Sequence, residues 1–321
     1  MAAESPPVSP VPPDPQADAA AVDIRAVRRH FERAAATYDA AAVLQREVGA
    51  RMAERLDVVK LAPAAILDAG AGTGEALGEL GVRYPRARRV AVDLALPMLV
   101  AARTRTRERR SLLGRLTAPL RGDAVPAVPD FVGGDITALP FAPAAFDLVW
   151  SNLALQWVTD LPQAFEEFRR VLRVGGLLSF TTFGPDTLKE LRAAFAGADA
   201  RPHVGRFVDM HDVGDLLVRA GFADPVMHME YLTLTYADAP AMMRDLKAIG
   251  AVNAAQGRAR GLMGRGRWQR AVAALEGMRR DGRVPATFEV IYGHAWKAAP
   301  RVSAEGHAIV RLERPGRRGT P

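Results

Sequence analysis

Asp68-Ala69-Gly70-Ala71-Gly72-Thr73-Gly74 is the stretch whose residue types and spacing point most directly to chemistry. It follows the apolar run Ala64-Ala65-Ile66-Leu67 and leads into the helix-like GEALGELGVRYP. Glycines permit positive φ and remove the Cβ atoms that hold a ligand away from the main chain. At a strand end that opens a helix, such a turn suits a nucleotide or nucleoside. The spacing is GxGxG. It lacks the Lys of a phosphate loop and differs from the GxGxxG of dinucleotide folds. Two acids extend the pattern. Asp93 closes RRVAVDL, 19 residues after Gly74, where a carboxylate can accept both hydroxyls of a ribose. Gly134-Asp135-Ile136 follows a third apolar run, where an acid can meet an adenine amino group, and a fourth run ends in Trp150-Ser151-Asn152.

Other chemistries are closed by composition. The 321-residue chain contains no cysteine, which excludes disulfides, thiolate nucleophiles and Cys-ligated metals. Its six histidines are scattered without ligand spacing, so no metal is expected. No apolar run reaches the length of a membrane span, and the first residues carry no secretory or mitochondrial pattern; a cytoplasmic protein is expected. The net charge of +7 is uneven. Seven arginines against one glutamate lie between Arg103 and Arg121, and eight arginines between Arg258 and Arg283. Aromatics are not interleaved with them, which argues against a nucleic-acid partner.

The elements that must position these residues alternate. AAILDAG, RRVAVDL, PDFVGGD, FDLVWSN and LLSFTTFG read as strands. GEALGELGVRYP, PMLVAARTRTRERR and LPQAFEEFRRVLRVGG, the last closed by Gly175-Gly176, read as the helices between them. This predicts an α/β fold with a doubly wound, mostly parallel sheet, Rossmann-like and covered on both faces. A Pro/Ala tail occupies residues 1–22, and residues 23–299 form a single domain. Its core is 64–184, with additions over 185–299 and a loose tail over 300–321. A helical lead-in begins at DIRAVRRHFERAAA with Asp23 as cap, breaks at Thr37-Tyr38-Asp39, and resumes through AAVLQREVGARMAERL. An inserted loop is expected near 111–128. DTLKELRAAF, MHDVGDLLVRAG and APAMMRDLKAIG add later helices, and VMHMEYLTLTY and TFEVIYGHAW later strands.

From LDAGAGTG through AVDL, GDI, FDLVWSNLALQW and VLRVGGLLSF, residues 66–183 resemble class I S-adenosylmethionine-dependent methyltransferases. The resemblance implies that Asp68 supports the loop and that Gly70, Gly72 and Gly74 border the methionine part of the donor. It further implies that Asp93 holds the ribose and Asp135 meets the adenine; Asn152, at the end of the fourth run, is a further candidate for binding the donor. The flanks FERAAATYDAAAVLQREVGARM, FTTFGPDTLKELRAAF, RFVDMHDVGDLLVRAGFADPVM, MMRDLKAIGAVN and EVIYGHAW extend it over 24–297. They are similar to malonyl-acyl-carrier-protein O-methyltransferases of biotin synthesis. The implied acceptor is then the free carboxylate of a malonyl thioester, on an acidic acyl carrier protein or on coenzyme A.

A carboxylate is ionised at pH 7 and needs no general base, which agrees with the lack of a His/Asp constellation. A cation to select malonyl is sought at Lys189 and Arg192, three apart on one helix face after LLSFTTFG, with Arg206, Arg244 and Lys247 in reserve. Tyr38, in the lead-in break, is the phenol that the resemblance sets over donor or carboxylate. Trp157 reads as core packing, Gln156 as within reach of the site, and His211-Asp212 as a helix cap. Some of the arginines in the two basic stretches are expected to dock the carrier. Three alternatives stay open at this point: another small methyl acceptor, a nicotinamide-dependent oxidoreductase, and a non-methylating relative of the arginine hydroxylase-like assembly factors of respiratory complex I. GxGxG spacing and the lack of a Tyr-xxx-Lys dyad argue against the second. The intact glycine loop argues against the third.

Overall fold

The computed structural model describes residues 22–116, 127–197, 202–258, 261 and 263–299. Alternation along the strands decides the layers, because successive side chains leave a strand on opposite faces. Ile66 of β1 (Ala65–Ala69) and Leu148 and Trp150 of β4 (Phe146–Ser151) enter one core. Their neighbours Leu67 and Val149 enter the other. The first core is closed by Val48 and Met52 of α3 (Val43–Glu54), and the second by Phe165 and Phe168 of α6 (Leu161–Val171). Burying each of these phenylalanines contributes roughly 1.5–3 kcal/mol.

Between them runs a seven-stranded sheet ordered β3-β2-β1-β4-β5-β7-β6. Its other members are β2 (Arg88–Asp93), β3 (Asp130–Gly133), β5 (Leu172–Phe183), β6 (Ala223–Tyr236) and β7 (Val284–Trp296). β7 is antiparallel to both β5 and β6, while β1 to β5 pair in parallel. Strand order reverses between β1 and β4, so the crevice beyond their carboxyl ends is the ligand position of such a sheet. The remaining helices are α1 (Ile24–Ala34), α2 (Tyr38–Ala41), α4 (Glu75–Arg83), α5 (Leu96–Leu116), α7 (Lys189–Ala196), α8 (Met210–Arg219), α9 (Ala239–Ala248) and α10 (Arg265–Glu276). Among the described residues, no helix is long and apolar enough to cross a membrane.

Several expectations shift. Tyr38 does not lie in an open break but begins the one-turn helix α2. α6 ends at Val171 rather than at Gly175-Gly176: β5 already starts at Leu172, and Gly175 takes φ +78° where the strand is laid against the 297 segment by its N–H on Lys297 O. The loop expected from 111 is helical as far as Leu116; residues 117–126, like 1–21 and 300–321, lie outside the described residues. Val22, assigned to the tail, bridges Ala255. α8 is capped by Asp209, whose carboxylate accepts from His211 N at 2.8 Å, and not by His211-Asp212.

Candidate active site

The four strand ends at the reversal bring the predicted acids and glycines to one crevice. Gly70 N and Ala71 N both donate to Val92 O, at 2.9 and 3.0 Å, which folds the loop after β1 against β2. Gly70 has φ +78°, and a Cβ there would lie 2.3 Å from the Ala154 Cβ, so only glycine fits. Gly72 has φ +53°, and a Cβ there would meet nothing within 4 Å; its bare backbone faces open space. Gly74 opens α4 in a left-handed conformation. Asp93 fixes the loop from the other side. Its Oδ2 accepts from Gly72 N and its Oδ1 from Ala95 N, both at 2.8 Å. A carboxylate has about four acceptor positions, so each oxygen keeps one for a ligand hydroxyl.

Three cavities meet here. The first, about 240 Å³, is lined by Gly70, Gly72, Asp93, Asp135, Asn152 and the α1 residues Ile24, Val27 and Phe31. Asp135 sits at its far end, its Oδ1 turned to Thr137 N and Oγ1 at 2.9 and 2.8 Å. A clamp from α6 holds that loop: Leu139 N donates to Glu167 Oε2 at 2.7 Å, and Arg170 donates to Phe141 O at 2.7 Å. The second cavity, about 100 Å³, is mostly apolar and includes Phe31, Leu153, Trp157, Phe183, Leu191 and Phe288. The third, about 50 Å³, runs behind the glycine loop past Asp68, Gln45, Arg46 and Trp150. Tyr38 lines all three.

α2 is strapped to the glycine loop. Thr73 Oγ1 donates to Asp39 Oδ1 at 2.5 Å, and Arg105 pairs with both Asp39 and Glu75. These contacts fix Tyr38 over the loop. Its phenol is held above its ordinary pKa by burial, then by the Asp93 and Asp39 carboxylates, so it remains a hydrogen-bond donor. Burial, with Asp93 adding to it, pushes the Asp68 carboxyl up to about 7. Burial also raises Asp93, against its backbone hydrogen bonds. Within the third cavity, Asp68 Oδ2, Gln45 Oε1 and Trp150 Nε1 are buried without a hydrogen-bond partner among the described residues. Two unmatched acceptors beside an unmatched donor fit the ammonium and carboxylate of an amino-acid end. Ribose at Asp93 and adenine at Asp135 would fill the first cavity. S-adenosylmethionine therefore fits the residues present.

The remaining expectations divide. Asn152 lines the first and third cavities, but its amide is committed: Oδ1 accepts from Thr181 Oγ1 at 2.8 Å and Nδ2 donates to Gln45 O at 2.9 Å. It ties β4 to α3. Lys189 and Arg192 line none of the three cavities. Lys189 is half exposed, paired at 3.5 Å with Asp186 and over the Tyr231 ring. Arg192 spends its guanidinium on Pro185 O at 2.7 Å and on Thr187 and Gly205 O at 3.3 and 3.5 Å. The reason is helix phase. Leu188 and Leu191 face the second cavity, and residues 189 and 192 lie one step, about 100°, round the helix. The permanent cation on that cavity is Arg206, which has no ion pair or hydrogen bond among the described residues. Trp157 packs, partly buried, against the small cluster of Ala26, Val27 and Ala254, and it is also a wall shared by the first two cavities, edge-on to Phe31 at 5.4 Å. Phe31 was missed; the signal was the apolar spacing Val27, Phe31, Ala34 on α1.

Residues 67–180 match the family model described as a methyltransferase domain. The chain is 53% identical over 290 residues to the malonyl-acyl-carrier-protein O-methyltransferase of Gallionella capsiferriformans, covering 90% of this chain and 96% of that one. It is 57% identical over 287 residues to the protein of the same name from a Methylovorus species, covering 89% and 93%. Among solved structures, the YcgJ protein of Bacillus subtilis superposes with a TM-score of 0.54 at 15% identity, over 79% of this chain and all of the other, a likeness of fold.

Proposed function

The chain belongs to the malonyl-acyl-carrier-protein O-methyltransferase family, and from that premise we propose that it transfers a methyl group from S-adenosylmethionine to the free carboxylate of a malonyl thioester. One observation carries the reading. A sulfonium sulfur has three substituents, and three cavities converge on Tyr38: one for a nucleoside, one for an amino-acid end, and one apolar with a cation on its lining.

The bound donor supplies an electrophilic methyl on a positively charged sulfur. A carboxylate oxygen forms the new C–O bond as the C–S bond breaks, the bonding pair leaving with sulfur, and no proton moves. The chain therefore needs no base; it must align, desolvate and hold. Phe31, Leu153 and Trp157 wall the junction and exclude water, which favours a step in which opposite charges cancel. Tyr38 O–H donates to the carboxylate oxygen that does not attack, and Arg206 draws the anionic head into the cavity. Tyr38→Phe is expected to lower kcat/KM for the malonyl substrate about 10- to 100-fold, and Arg206→Ala to raise its KM about tenfold, with donor affinity unchanged in both. Steady-state kinetics beside donor calorimetry checks this. An unchanged acyl KM in Arg206→Ala removes that residue from the cavity's work.

Arg192 keeps a supporting part in this reading. Arg192 ties the loop at Gly205, next to Arg206, to the start of α7. The carrier is an acidic acyl carrier protein in the cytoplasm, in keeping with the net charge of +7. Both basic stretches keep exposed arginines unpaired among the described residues, Arg103 and Arg107 of α5 in the first. Arg105 in the first is spent on Asp39 and Glu75. Arg265 and Arg270 of α10 are exposed and unpaired among the described residues. The KM for carrier-linked malonyl is expected to rise several-fold between low and high salt, more than for malonyl-coenzyme A. Equal salt dependence speaks against docking at these arginines. The reading as a whole is tested with malonyl-, succinyl- and acetyl-carrier protein and labelled donor. Malonyl is expected to be methylated by far the fastest; acetyl, lacking a free carboxylate, serves as the blank.

A further inference from the structure

Gln156 follows β4 on the short 3-10 turn Leu155–Trp157 and lines the second cavity. Its Nε2 donates to Leu153 O at 2.6 Å, which fixes the orientation of the amide; the reverse orientation would set oxygen against oxygen. The other end, Oε1, is buried and has no hydrogen-bond partner among the described residues. A buried acceptor beside an apolar cavity is costly unless a ligand donor meets it.

The proposed substrate restricts what that donor is. At neutral pH a malonyl thioester carries a carboxylate, a thioester carbonyl and a methylene, none of which donates. The first N–H along a carrier arm is the secondary amide two methylenes beyond the thioester sulfur. With the carboxylate at the Tyr38 junction, the arm runs outward through the cavity that Gln156 lines. We infer that Gln156 Oε1 accepts a hydrogen bond from this amide N–H, so that the second cavity recognises the pantetheine-type arm as well as the acyl head. This rests on the functional reading above and assigns Gln156 as a specificity-determining residue for the arm.

The test uses two malonyl thioesters of pantetheine, one with the natural amide and one with that N–H replaced by an ester oxygen of the same shape. Wild-type protein is expected to use the amide arm about tenfold better, seen mainly in KM. In Gln156→Met, and in Gln156→Asn if the first variant does not fold, the preference is expected to fall to within about twofold while donor affinity stays unchanged. A general packing defect lowers both substrates together and leaves the preference in place. Equal use of the two arms by wild type, or a preference that survives in the variants, overturns the assignment. Methylation of neither arm while malonyl-carrier protein is still methylated overturns this inference alone; methylation of none of the three, with donor bound, overturns the functional reading and this inference with it.

Discussion

Asp93→Asn is expected to cost nearly as much donor affinity as Asp93→Ala, about 100-fold or more in Kd by calorimetry. Amide-for-carboxylate exchange keeps size and shape, yet both carboxylate oxygens accept a backbone N–H, from Gly72 and from Ala95. An asparagine must turn its own NH2 toward one of them. One bond becomes a donor–donor contact, and the glycine loop loses its hold on the end of β2. The same change removes acceptor positions for ribose hydroxyls, each hydrogen bond to a charged group being worth about 1.5–3 kcal/mol. Retention of donor affinity within about threefold in Asp93→Asn would take the ribose from this residue.

Asp68→Asn is expected to move binding and stability in opposite directions. Its carboxyl is pushed up to about 7, well above the ordinary carboxylate range, because burial disfavours its charge and Asp93 stands beside it. A group whose folded pKa is raised in this way holds its proton longer in the folded chain than in the unfolded one. Stability therefore falls as pH rises from about 4 to about 7 and is flat beyond. Asparagine has no such cost. The donor-free variant should melt several degrees higher at pH 8, with a flatter Tm profile between pH 5 and 7. A cationic donor favours the ionised carboxylate, so wild-type affinity should weaken below pH 7. The variant should bind about 10- to 100-fold more weakly and without that pH dependence. Calorimetry and thermal melts across pH 5 to 8 read both effects. A variant that binds normally, or that melts lower at pH 8, contradicts the assignment.

The residues proposed to hold the donor were legible because each sits at a place that local sequence defines. Asp68, Asp93 and Asp135 end or follow apolar runs, and the sheet order then carries them to one edge. The acceptor cavity was not legible in that way. Phe31, Trp157, Arg206 and Ala255 lie far apart in sequence and converge only through packing of α1, the loop after α7 and the bridge of Val22 to Ala255. Nearness to the end of β5 made Lys189 and Arg192 attractive. The left-handed turn at Leu188, φ +54°, instead sets the phase of α7 so that its leucines face the cavity. Asn152 was found for its position, while its role as a tie between Thr181 and Gln45 depends on partners that no local pattern reveals.

Single turnover with enzyme in excess, methyl-labelled S-adenosylmethionine and malonyl-carrier protein tests the central claim most directly. The account predicts stoichiometric label on the malonyl group as a base-labile ester that releases labelled methanol. Donor bound at the glycine loop with no label on malonyl, or label in a base-stable linkage, would contradict it.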